Sequence, residues 1–205
     1  CLVVLQVGCA TVSFTGFSLP SRLTFGNVKP NWIGITENTA YGVFFMEMDL
    51  KVPGNVLYLE SNSLKTVDLD TKETHLIAGK ADTRGYREGI GEEARFHAPF
   101  SFYQMNSSEV VILDAENRCI RKVSRLTNET SILAGWCTIP GDRDGSFSTA
   151  NFGHPEKVVE ISPNKLAFTD STSFCIRELD FDQEKTSALL RLDILLFGLT
   201  LWPHT

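Results

Sequence analysis

The sequence predicts an all-β chain, a partial β-propeller of about three four-stranded antiparallel blades. The first observation behind this is a repeat. Gly79 and Gly135, Gly89 and Gly145, Phe96 and Phe152, and Pro99 and Pro155 are all separated by 56 residues. Matches at one fixed offset mark an internal repeat, and a repeat decides the fold before any local reading does. The second observation is a set of short apolar runs within each copy, broken by turn residues, which read as one antiparallel sheet. Such a sheet has two apolar faces and cannot bury both alone. Stacking against the next copy solves that.

Each strand has its own signature. Residues after the repeated proline, such as Lys157-Val158-Val159-Glu160-Ile161, supply one strand. The next is an apolar run ending in an acid: Asn55 to Glu60, Glu109 to Asp114 and Lys165 to Asp170. The recurring acids Glu60, Asp114 and Asp170 are expected to bond to backbone N–H groups at the strand-to-turn step. A run alternating apolar and polar residues follows at Arg118 to Val123 and at Phe174 to Leu179. Its counterpart at Leu64 to Asp68 is two residues tighter. Alternation places Cys119, Arg121 and Val123 on one face and Ile120 and Lys122 on the other. Thr74 to Ile77 and Thr130 to Leu133 close the sheet. The long loop then reads as a turn after Ala-Gly, and as a tight Arg-Asp-Gly turn whose glycine, Gly145, is free to take positive φ. Ala150 and Phe152 pack under the next blade, and Pro155 fixes where the next inner strand begins.

The ends depart from this pattern. Residues 1–26 are apolar, with no charged side chain before Arg22, and read as a truncated signal peptide or an apolar strand. Residues 27–189 are assigned to the blades. Trp32 to Ile35 and Gly42 to Met46 read as strands outside the repeat register, because Val43 falls where a proline belongs. Residues 190–205 are a non-repeat tail: Leu190-Arg191 stands where Ala-Gly is expected, and the apolar run beyond is too short for the ~20 residues a membrane span needs. Blades of ~50 residues make this an arc of a longer product or an abnormal gene model, and Cys1 in place of Met fits a truncated start.

Composition narrows the function classes. Apolar residues make up 42% of the 205, as in an ordinary globular protein, and the net charge is −6. Nucleic-acid binding needs clustered Lys and Arg. Arg118, Arg121, Lys122 and Arg125, the most basic segment, spread over both faces of a strand and read as solvated surface. Membrane association is not expected except through the two apolar ends.

No catalytic constellation emerges. His97 and His154 flank the repeated prolines at different offsets, and neither recurs at its equivalent position, so both read as turn or surface histidines. Asp142-Arg143-Asp144-Gly145 hints at calcium but lacks the later ligands of an EF-hand loop, so a turn capped by Asp is the better account. No Gly-x-Ser-x-Gly, P-loop or paired-carboxylate signature is present. No cofactor and no metal is expected, and no residue is assigned a catalytic role.

Ala-Gly, a Gly-and-Asp-Gly turn, Ala-x-Phe-x-x-Pro, an apolar run ending in Asp, and a Cys-Ile-Arg strand together resemble the NHL-repeat family, in its extracellular animal form. The resemblance covers about Val56 to Leu189. It implies a propeller of about six blades used mostly as a binding platform, although some relatives bind RNA and one branch is a metal-dependent lyase whose histidine set cannot be matched here. Cys119 and Cys137, on neighbouring antiparallel segments, are either a disulfide or two unpaired thiols; the resemblance favours the disulfide. Cys175 repeats Cys119, but its partner position holds Asp193. Asn106-Ser107-Ser108 and Asn128-Glu129-Thr130 are glycosylation sequons in turns. The reading is therefore a non-enzymatic, extracellular or cell-surface module that presents loops to a protein or glycan. A propeller-type lyase or other propeller enzyme, or an incomplete product without separate function, is the alternative.

Overall fold

The computed structural model describes residues 43–191, so the expectations for residues 1–26, 32–35 and 192–205 lie outside it. The first sheet holds β1 (Val43–Met48), β2 (Asn55–Glu60), β3 (Ser63–Asp68) and β4 (Thr74–Gly79), paired in that order. The middle sheet holds β5 (Gly89–Ile90), β6 (Pro99–Gln104), β7 (Glu109–Asp114), β8 (Cys119–Ser124) and β9 (Glu129–Ala134), in the order β5-β9-β8-β7-β6. The third holds β10 (Gly145–Ser146), β11 (Pro155–Ser162), β12 (Lys165–Asp170), β13 (Cys175–Asp180) and β14 (Lys185–Arg191), in the order β10-β14-β13-β12-β11. All pairings are antiparallel. The fold is a partial β-propeller of three blades.

Burial shows how the sheets stack. In β7 every residue after Glu109 is buried, because both faces of the middle sheet are covered. In β2 burial alternates: Leu57 and Leu59 are buried, and Val56 and Tyr58 are half-exposed. One core joins Leu57, Leu59 and Leu64 of the first sheet to Phe102, Val110 and Ile112 of the middle one. A second core joins Val111, Leu113 and Ile120 to Val158, Leu166 and Phe168.

Three features correct the sequence expectations. The middle and third sheets each carry a fifth, two-residue strand on the outer edge, donated by the loop that arrives from the preceding blade. Gly89 and Gly145 therefore open the short strands β5 and β10 rather than sit in a tight turn. A Cβ on Gly145 would lie 2.6 Å from Thr149 Oγ1, and one on Gly89 would lie 2.8 Å from Glu93 Cβ. Close approach, then, requires glycine at both positions. Finally, β1 lies in the repeat register: Val43 pairs with Glu60 as Pro99 pairs with Asp114 and Pro155 with Asp170. Proline helps start an inner strand but is not needed to do so.

The link between Ala-Gly and Ala-x-Phe is a packing link. Phe96 and Phe152 are fully buried between sheets. A Cβ on Gly79 would lie 2.7 Å from the Phe96 ring, and one on Gly135 would lie 2.7 Å from the Phe152 ring. Both glycines also hold positive φ, +88° and +93°. The glycine at the end of one blade makes room for the phenylalanine that seals it to the next.

Candidate binding rim

In an antiparallel meander the turns alternate between two rims. One rim carries the two ends of each crossover loop, residues 80–98 and 135–154, with the β7–β8 and β12–β13 turns. Between those ends the loops run down the outer edge, where the Gly91 and Phe147 N–H groups donate to the Asn128 and Glu184 carbonyls. The other carries the β6–β7 and β8–β9 turns, and both sequon asparagines, Asn106 and Asn128, lie there.

The crossover rim is held by a repeated buried latch. Asp114 Oδ1 accepts the His97 N–H at 2.8 Å, and Asp170 accepts the N–H groups of Gly153 and His154 at 2.9 and 2.7 Å. Asp114 and Asp170 bond backbone N–H groups, as expected, but on the incoming crossover rather than on their own turns, whereas Glu60, the third of the set, pairs with the Lys65 ammonium. Arginines complete the latch. Arg121 lies 3.3 Å from Asp114 and Arg177 3.6 Å from Asp170, and all four side chains are fully buried. Arg121 also donates to the Arg87 carbonyl, and Arg177 to those of Asn151 and Arg143. Their guanidiniums cover the Phe96 and Phe152 rings at 5.7 and 4.9 Å. Burial pushes the Asp114 carboxyl up to about 6, against the pull of Asn117, the His97 N–H and Arg121.

A second acid in each loop acts on a bulge. The β8–β9 ladder slips between Ile120 and Arg121, and the β13–β14 ladder between Ile176 and Arg177. Glu88 then accepts the Ile132 N–H at 2.7 Å, and Asp144 accepts the Ala188 N–H at 3.1 Å. Asp144 is also 2.7 Å from Arg177, and Asp142 is 2.7 Å from Arg191. The Asp142–Gly145 segment thus clamps the third sheet and does not cap its own turn. Cys119 and Cys137 are disulfide-bonded, with Cα atoms 4.9 Å apart, tying this loop to β8. Cys175, the counterpart of Cys119, is a buried free thiol that contacts Arg191 at 3.4 Å.

Near the start of the inner strands, His154 lies 3.1 Å from Glu156 and 3.5 Å from Glu116, bridging the third and middle sheets. His97 lends its backbone N–H to the latch. Among the described residues, no group of three or more His, Cys, Asp or Glu side chains could hold a metal ion.

On this fixed frame the loops expose large side chains. Tyr86, Trp136, Ile139 and Phe174 are all exposed. Arg143 sits over the Trp136 ring at 4.7 Å, and the Trp136 ring N–H donates to the Ser148 carbonyl at 2.8 Å. Sequence reasoning singled out none of these four, because it searched for residues the copies share. The signal lay in the differences: Trp136, Ile139 and Phe174 stand where the preceding copy has Lys80, Thr83 and Arg118.

Comparison with known proteins supports the fold. No protein-family profile matches the chain. It is 25% identical over 142 residues to the Arabidopsis thaliana protein SUPPRESSOR OF QUENCHING 1, chloroplastic, a match covering 66% of this chain and 13% of that one. A Bacteroides thetaiotaomicron protein of unknown function superposes with a TM-score of 0.52 at 19% identity, over 65% of this chain and 32% of the other. A candidate phosphatase from the same organism superposes with a TM-score of 0.50 at 18% identity, over 75% and 35%. The chain thus spans about a third or less of each of these three proteins, and the structural likenesses carry the propeller-like fold. Among the described residues no helix is long and apolar enough to cross a membrane.

Proposed function

We propose that the chain is an NHL-like, non-enzymatic recognition module that works outside the cell and binds a protein partner through its crossover rim. One observation carries the reading. The rim that is latched by buried ion pairs and a disulfide is also the rim that exposes Tyr86, Trp136, Ile139 and Phe174. Aromatic side chains on a rigid frame lose little conformational entropy on binding and are enriched where binding energy concentrates. Both sequons lie on the other rim, so glycans there would leave this one clear. The disulfide suits an oxidising compartment.

Site-specific photocrosslinking on the chain secreted with a leader tests this. A crosslinker in place of Ile139 or Tyr86 is expected to trap the same protein, and one in place of Leu126, on the opposite rim, to trap none. Equal trapping from both rims, or none from Ile139 and Tyr86, contradicts the reading. Saturable binding to a glycan array that survives Trp136→Ala contradicts the assignment to a protein partner.

A further inference from the structure

Among the described residues, the two outer sheets each leave one face uncovered. On the third sheet this face holds Val159, Ile161, Ala167, Ile176 and Leu190, of which Val159, Ile161 and Leu190 are 57%, 47% and 48% exposed. The residues 56 positions earlier are Tyr103, Met105, Val111, Ile120 and Ala134, and all five pack in the core between the middle and third sheets. The strand pairings agree: Tyr103 faces Val111 as Val159 faces Ala167, and Ile120 faces Ala134 as Ile176 faces Leu190. The open face is built to the pattern of one that is covered.

The first sheet carries the other half of the joint. Its open face presents Met46, which is 62% exposed, beside Tyr58 and Val56. Met46 pairs with Tyr58 as Phe102 pairs with Ile112 and Val158 with Phe168. Phe102 and Ile112 pack on the first sheet, and Val158 and Phe168 on the middle one. Among the described residues the same joint is made twice, and one half of it stands unmated on each outer sheet.

We propose that the open face of the third sheet takes the open face of the first sheet of a second copy of this chain. The joint is head-to-tail. Used twice about a two-fold axis, it joins two sets of the three described sheets into one ring. The two crossover rims then lie on one side of the ring.

Sedimentation velocity on the full chain at micromolar concentration tests this, with far-UV circular dichroism as the check on folding. The parent chain is expected to sediment at twice its formula mass. Val159→Glu with Ile161→Glu, and separately Met46→Glu, are expected to weaken association at least tenfold with the β spectrum retained. Leu126→Glu, at a turn that is 74% exposed and on neither face, is expected to leave it unchanged. A monomeric parent chain overturns the proposal, as does a dimer that persists in the folded variants of both faces. An intermediate result is also informative. Mixing the two variant types leaves one intact joint, so a weak mixed dimer supports the head-to-tail arrangement, and an absent one contradicts it.

Discussion

At the scale of residues, the interfaces turn on single side chains. Phe152 is fully buried, edge-on to Phe168 at 5.2 Å and beneath the Arg177 guanidinium. Phe152→Ala is expected to cost roughly 3–5 kcal/mol in urea unfolding, and a loss below about 1 kcal/mol would contradict the packing described here. Two carboxylates give the pH dependence opposite signs. Burial pushes the Asp49 carboxyl up, but its hydrogen bonds to Arg125, the Lys51 N–H and Thr66 outweigh this and hold it below 3.8. Its contribution is complete above the unfolded value and lost as pH falls through the folded one. Asp114, pushed up to about 6, binds a proton in the folded state that the unfolded chain has released above 3.8, so stability falls as pH rises from 3.8 through 6. Urea midpoints across this range are expected to peak on the acid side of neutrality. Asp114→Asn should flatten the upper limb and Asp49→Asn the lower. Unchanged limbs in both variants would contradict these assignments.

At the scale of elements, the crossover loop is the working part. It ends one blade, lends an edge strand to the next, seals the joint with phenylalanine and exposes the rim residues. The disulfide anchors it across a sequence separation of 18 residues. Cys137→Ser is expected to cost about 3 kcal/mol and to speed proteolysis within residues 136–144, leaving β11 to β14 intact. Proteolysis that starts in β11 to β14 would contradict this anchoring. Much of the architecture was legible in the sequence, because Gly, Phe, Pro and Asp recur wherever backbone freedom, packing, strand starts and latching recur. The fifth strands were not legible: two residues carry no alternation pattern, and Gly89 and Gly145 look locally like turns. Arg121 and Arg125 read as solvated surface with the rest of their basic segment and are buried, because a periodic pattern cannot tell a buried, paired guanidinium from a solvated one. The rim residues were missed for the opposite reason, since they do not repeat.

At the scale of the whole molecule, stability passes between blades. Phe45 meets Phe102 edge-on at 5.0 Å across the first joint. Arg125 of the middle sheet holds Asp49 of the first through two hydrogen bonds of 3.1 and 2.8 Å, both partners buried. Breaking such a pair leaves an uncompensated buried charge at a cost of about 3–5 kcal/mol, so its value lies as much in fixing how two blades meet as in net stability. A repeat array of this kind transmits damage to its nearest neighbours. Hydrogen exchange on Phe152→Ala against the parent chain tests that coupling most directly. The account predicts lost protection in β7 to β9 and in β12 to β14 together, with β2 and β3 little changed. Loss confined to the crossover loop, or spread equally over all three sheets, would contradict it.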